Sequence, residues 1–393
     1  MSNKTVLIIA SSIDEGASDR SALDVAIAVR ERGYTPIVVS SGGKMMRELK
    51  RENIEHVQMN ISSVDFFTLR GNIKALTQLA VERSVSIIHA FTPDAAYHAN
   101  KAARATGIPY VASYMKIYPK KLFSLKSNRS AYMSAADFII APSEFMAAYL
   151  QGANHVPHDK IAIIPQWIDT ETNNPKAVSA ERIIRTAREL RVPEDKFIVA
   201  AISRLARSKG QKVLLAALAK LPEAKRARVQ CLIMSRHKAK PRIETALMKE
   251  AARLGVVDMV FIADKMDDIP ALLMLSDMFV STDLMPSAFR LHLLDAISFG
   301  RPAVASNIGP TSEYVFDDNA VRLYEPGDAE ALAREISAVM ELGISEREAL
   351  GRKAQTFVRV NFSREIMAPK AADIYNYVLE RHRKMLRKQE QNA

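Results

Sequence analysis

The chain has 393 residues, a formal net charge of +11, 48% hydrophobic residues and 25% charged ones. This composition excludes a disordered polymer, and the length exceeds what one core usually organises, so two domains are expected. The basic surplus points to an anionic ligand or an anionic membrane surface, or is a solvated face. Nucleic acid is set aside, because no helix-turn-helix signature and no aromatic-rich basic platform is present.

No apolar run reaches the roughly 18 to 20 residues that span a bilayer. Lys4 passes directly into the strand Val6–Ala10 without a signal-peptide pattern. The one cysteine, Cys231, lies in the apolar run Val229–Met234 and reads as a small core hydrophobe. These features predict a cytoplasmic protein.

The first 166 or so residues alternate strand and helix. After Val6–Ala10 comes a loop containing Gly16, then a helix to about Arg32 with Gly33 as its cap. Further strands are predicted at Thr35–Ser40, Val85–Phe91, Tyr110–Tyr114, Phe138–Ala141 and Ile161–Ile164, with a helix at Ala95–Thr106. Strands alternating with helices at this spacing imply a parallel, doubly wound sheet. The Gly16 loop does not match GxGxxG, which argues against a nicotinamide cofactor. It approaches a ligand or is a plain strand-to-helix turn. His89, at a strand end, either lines a site or is a satisfied strand-end histidine.

A polar interval from Asp169 to Pro193, with a helix over Ser179–Leu190, reads as an interdomain connection. The second domain opens with the strand Phe197–Ser203 and the loop Arg204-Leu-Ala-Arg-Ser-Lys209-Gly210-Gln211. Two cations and the free amides of a helix start can converge there on a diphosphate. Strands follow at Ala227–Ser235, Met259–Ala263, Met278–Val280 and Pro302–Ser306. The helix between the last two carries Leu291, Leu294 and Ile297 on one face and ends at Gly300. No Asp-x-Asp cation motif appears near this loop, so neither a metal nor another cofactor is expected.

The stretch Met278–Val315 resembles the donor-binding segment of glycosyltransferase family 4, two-domain enzymes of the GT-B type. Pro286, Ala288, Phe289, Gly300, Pro302, Val304, Ala305, Ser306 and Gly309 match its pattern. Ser287 stands where that pattern has Glu, Arg290 where it has Gly, Asp295 where it has a second Glu and Pro310 where it has a second Gly. Pro165–Asp169, the Arg204/Lys209 loop, Asp267–Asp277 and Tyr324–Asp328 also match, so the resemblance covers nearly the whole chain.

The resemblance implies an α/β fold of two Rossmann-like domains facing across a cleft. These would be an acceptor-side domain at 1–168, a linker at 169–195, a nucleotide-sugar domain at 196–365 and a last helix at 366–393 returning to the first domain. It implies transfer of a sugar, with retention, from a UDP- or GDP-sugar to a glycan or lipid-linked acceptor. Arg204, Lys209 and Asp295 would act on the donor, while Gly16, His89, Met115, Lys116, Ser287, Ala288, Phe289, Arg290 and Gly309 would line the site. Met115 and Lys116 stand where retaining relatives carry His-Gly, and a thioether cannot donate the imidazole's hydrogen bond. The sugar-side substitutions leave a second reading open, a non-catalytic relative that binds nucleotide or a partner protein. Finally, Lys116–Arg129 interleaves basic residues with Leu122, Phe123 and Leu125. This pattern suits peripheral attachment to the inner face of an anionic membrane, or an ordinary basic loop.

Overall fold

The computed structural model describes residues 4–14, 16–118, 129–235, 241–263, 266, 268–317 and 320–391. Two compact units emerge, Met1–Trp167 with Glu365–Ala393, and Ile168–Arg364.

The first unit is built on seven strands: β1 (Lys4–Ile9), β2 (Tyr34–Ser40), β3 (Glu55–Gln58), β4 (Val85–Ala90), β5 (Tyr110–Ser113), β6 (Phe138–Ala141) and β7 (Ile161–Ile163). Their order is β3-β2-β1-β4-β5-β6-β7, and every pairing is parallel. The inner strands read as near-continuous apolar runs because helices cover both faces of the sheet. Val6, Leu7, Ile8 and Ile9 are all fully buried. The edge strand β3 was not legible in the sequence. Its four residues are exposed or half-buried, so no apolar pattern marks them.

The last helix, Arg364–Gln391, gives its apolar face to this unit from Glu365 onward. Met367, Ala368, Ala371, Ala372, Tyr375, Val378 and Leu379 recur at helical spacing and join the core of β1, β2 and β4. Beyond Leu379 the helix is largely exposed and basic.

The second unit holds β8 (Phe197–Ile202), β9 (Val229–Met234), β10 (Val260–Ala263), β11 (Met278–Ser281), β12 (Ala303–Ser306) and β13 (Val321–Tyr324). They lie in the order β10-β9-β8-β11-β12-β13, again all parallel. The strand order reverses beside β8, so the loops after β8 and β11 leave the same edge side by side. That is where open α/β sheets take ligands.

The interval expected as a linker belongs to this second unit. Its helix, Ala180–Glu189, is tied down by Arg182, which forks onto Asp268 at 2.8 and 2.7 Å. Val178 and Leu190 at its two ends are buried in the second unit's core. A strongly polar helix reads as peripheral from its composition; the ion pair that anchors it is a tertiary fact.

Among the described residues no helix is long and apolar enough to cross a membrane. Most of the basic-apolar segment considered for membrane attachment, 119–128, lies outside the described residues.

Candidate functional site

The loop after β8 is fixed by its backbone before its side chains matter. Gly210 adopts φ +66°, and a Cβ there would meet the carbonyl oxygen of Thr282 at 1.9 Å. Only glycine permits both the left-handed dihedral and this approach. Thr282 Oγ1 donates to the Lys209 carbonyl at 2.7 Å, and Leu284 N–H donates to the Ser208 carbonyl at 2.9 Å. The loops after β8 and β11 are thereby stapled together at the sheet edge. The helix Gln211–Lys220 starts here, and Gln211 Nε2 donates to Ser203 Oγ and to the Arg204 carbonyl, both at 2.9 Å.

The two predicted cations sit differently on this frame. Arg204 is exposed, and its guanidinium has no partner among the described residues. Lys209 is partly covered and reaches Asp283 Oδ1 at 2.5 Å. Asp283, in the loop after β11, was not singled out from the sequence. In the structure it is the centre of the site, 8% exposed. Its other oxygen, Oδ2, accepts from Ser281 Oγ at 3.2 Å and from Arg290 Nη1.

Arg290 is 5% exposed, and all its donor groups are engaged. Besides the Asp283 pair, Nε donates to Thr311 Oγ1 at 3.1 Å and Nη2 to the Ile308 carbonyl at 2.6 Å. Burial pulls the guanidinium's pKa down, and the neighbouring Asp283 carboxylate opposes that pull. Arg290 therefore runs beneath the site, joining the loop after β11 to the loop after β12.

Gly309, at φ +63°, completes this second junction. A Cβ there would crowd the Ser287 carbonyl at 3.2 Å and Pro286 Cβ at 3.3 Å. Ser287 Oγ turns inward and donates to the Phe289 carbonyl at 2.9 Å. Ala288 is buried, and Phe289 meets Tyr314 edge-on at 5.8 Å. Asp295 lies on the following helix, Leu291–Ser298, 9% exposed, with His292 Nδ1 at 3.4 Å from its carboxylate. The second unit thus brings Lys209, Asp283 and Arg290 into one network and packs Ser287 against Gly309.

In the first unit, Gly16 precedes the helix Ala17–Glu31 as its N-cap. Asp19, in the first turn, accepts from Ser12 Oγ at 3.0 Å and from Asp14 N–H at 3.3 Å, closing the loop around itself. Burial raises the pKa of that carboxyl, and the nearby charge of Lys116 acts against the rise. Gly43 supports the same loop, because a Cβ on it would meet the Ile13 carbonyl oxygen at 2.3 Å. Met115 is 8% exposed, and its Sδ accepts from Ser21 Oγ at 3.1 Å; Lys116 is exposed.

His89 is fully buried. One ring nitrogen lies 2.6 Å from Tyr375 Oη and the other 2.8 Å from Ser113 Oγ. With both nitrogens satisfied and no exposed surface, it occupies the place of a satisfied strand-end histidine. Desolvation drives its pKa to about 3, so it is neutral at any ordinary pH.

Two parallel α/β units, the second carrying a glycine-kinked basic loop after its first strand, match the GT-B architecture. The pattern of the family described as Glycosyl transferases group 1 matches residues 183–357, and that of Glycosyltransferase Family 4 matches residues 18–172. Between them they take in most of both units, and the chain belongs to this glycosyltransferase family.

Over 261 residues it is 26% identical to a D-inositol 3-phosphate glycosyltransferase of Salinispora tropica, covering 65% of this chain and 54% of that one. Over 238 residues it is 23% identical to the lipopolysaccharide 1,2-N-acetylglucosaminetransferase of Salmonella typhimurium, covering 58% and 59%. The chain thus spans little more than half the length of these curated relatives. Among solved structures, a glycosyltransferase from Rickettsia africae superposes with a TM-score of 0.86 at 25% identity, over 96% of this chain and 99% of that one. The Anabaena protein HepE, solved with UDP and glucose, superposes at 0.81 over 95% and 100%. At 22% identity that likeness concerns the fold alone.

Proposed function

We propose that the protein transfers a sugar, with retention, from a UDP- or GDP-sugar to a glycan or lipid-linked acceptor, as in cell-envelope polysaccharide synthesis. The observation that carries this reading is the loop after β8. Its path is locked by Gly210 against Thr282, and it carries Lys209 together with an Arg204 guanidinium that is exposed and has no partner among the described residues. Such a loop can take up the charge that develops on a departing diphosphate, which is most of what catalysis in this class asks of the protein.

Lys209 does not have to be free beforehand. Asp283 holds two cations, so the Lys209 ammonium can turn to a phosphate while Arg290 continues to neutralise the buried carboxylate. Asp295 would accept the ribose hydroxyls, and Ala288, Phe289 and Gly309 would shape the donor pocket. The role of Arg290 in this reading is to position Asp283 and Lys209 from below. The acceptor would meet the Gly16 loop, Met115 and Lys116. Peripheral attachment to an anionic membrane would bring a lipid-linked acceptor to it.

The proximity of UDP-bound HepE in fold, and the sugar-transferring relatives, support a nucleotide-sugar donor. Calorimetry with UDP and GDP tests the assignment. Arg204→Ala should weaken binding by about 1.5 to 3 kcal/mol, the range for hydrogen bonds to charged groups. Unchanged affinity removes Arg204 from the site.

A second reading, nucleotide binding without transfer, draws on Ser287 and Met115. The Ser287 hydroxyl is spent on the Phe289 carbonyl, and the Met115 thioether is buried against Ser21. Nucleotide release measured across a panel of UDP- and GDP-sugars separates the two. Binding without release from any donor favours the second.

A further inference from the structure

The edge of the second sheet opposite the Arg204 loop carries another basic site. Asp277 immediately precedes β11 and Arg301-Pro302 precede β12, so both stand at the strands' N-terminal ends. Facing them is the helix Ile344–Phe362, with Arg347, Gly351 and Gln355 four residues apart on one side and Arg352 beside Gly351. Between them lies a pocket of about 310 Å³, which has room for a small phosphorylated molecule. Its walls are held close by a glycine contact, since a Cβ on Gly351 would meet the Gly300 carbonyl oxygen at 2.6 Å.

The charges in this pocket do not close among themselves. Asp277 spends Oδ2 on the Ile198 N–H at 2.8 Å and faces Arg347 with Oδ1 at 3.5 Å. Arg347 is aimed by its bond to the Leu342 carbonyl at 2.6 Å and by the Phe197 ring, 5.3 Å away. Arg301 receives much less. Its Nη2 reaches only the thioether of Met274 at 3.7 Å, and its buried Nε–H has no acceptor among the described residues. Arg352 has no side-chain partner among the described residues, and Glu348, on the same helix, is exposed at the rim. Burial and the like charge of Arg347 both lower the pKa of Arg301, against the pull of Asp277. Guanidiniums that share a pocket, with Arg301 and Arg352 making no ion pair among the described residues, repel one another unless an anion lies between them.

We propose that this pocket binds a phosphate group, as inorganic phosphate or a small phosphomonoester, between Arg301, Arg347 and Arg352. The site is separate from the loop after β8, and it stands whether or not that loop holds a nucleotide diphosphate.

The test uses the full chain with inorganic phosphate and glycerol 3-phosphate as probes, read by calorimetry and by the shift of the thermal transition. Chloride at matched ionic strength is the reference. Wild type and Arg204→Ala should respond alike. Arg352→Gln, an exposed change that leaves the fold alone, should weaken binding by about tenfold or more, and Arg301→Gln likewise. A response to phosphate alone assigns the free ion, and one to both probes assigns the phosphomonoester class. The proposal fails if neither probe acts beyond chloride, if Arg352→Gln binds as wild type does, or if Arg204→Ala abolishes the response.

Discussion

Arg290 shows how one residue can be mistaken when only its neighbours in sequence are known. It stands where the family pattern has glycine, which suggests a cation intruding on the ligand. The structure instead places its guanidinium in a buried network with Asp283, Thr311 and the Ile308 carbonyl. Removing the guanidinium leaves Asp283 with Lys209 as its cation but strips the Thr311 hydroxyl, the Ile308 carbonyl and one carboxylate oxygen of a buried donor, at about 1 to 3 kcal/mol. Arg290→Ala should therefore lower the denaturant midpoint strongly, and Arg290→Met with Asp283→Leu should recover much of the loss. Equal stability of Arg290→Ala and wild type would mean that the network carries no weight.

His89 makes a different prediction at the same scale. Its folded pKa of about 3 lies below the ordinary 6.5, so below pH 6.5 the unfolded chain takes up a proton that the fold refuses. The stabilisation is complete above that pH and falls as the pH drops toward 3, at up to about 1.4 kcal/mol per pH unit. Burial lowers His56 and His98 in the same direction. Ring-proton NMR should show no titration of His89 down to pH about 4 in the folded protein, the signature of a buried neutral ring. A midpoint near the ordinary value would place the ring in contact with water.

Among the elements, the loop after β8 depends on one glycine. Gly210→Ala would force a Cβ onto the Thr282 carbonyl at a positive φ. The left-handed dihedral alone costs roughly 1 to 2 kcal/mol, and the clash must also displace the β11 loop with Asp283. Nucleotide affinity should drop more than stability does, with circular dichroism unchanged. Intact UDP or GDP binding would separate the loop from the site.

The final helix is the second such element. Tyr375 is fully buried, hydrogen-bonds His89 of the first sheet and meets the Tyr34 ring edge-on at 5.7 Å. Tyr375→Phe keeps the packing but leaves a His89 nitrogen unsatisfied, which costs about 1 to 3 kcal/mol. Truncation after Arg364 removes Met367, Ala371, Tyr375 and Val378 from the first unit's core. That chain should bind a hydrophobic dye and be cleaved rapidly within residues 4–167.

At the scale of the whole molecule, the alternation of apolar strands with capped helices determined most of the fold. A buried parallel strand must be apolar throughout, and a helix on it must be apolar along one stripe; both leave marks in sequence. The edge strands β3 and β13, only partly covered, left no such mark. The Arg204–Gly210 loop was legible because its glycine, cations and flanking strand are neighbours in the chain. Asp283 was not, because its partners lie 74 residues before it and 7 after it. The basic pocket behind the sheet joins Asp277 and Arg301 to Arg347 and Arg352, a grouping that exists only once the last helices pack. The sequence by itself determined the inner strands, the helices packed on them and the glycine-kinked loop after β8, since those depend on local dihedrals and periodic burial. Which charges neutralise one another, and which are left for a ligand, was decided by tertiary structure, because that depends on distances between residues far apart in the chain.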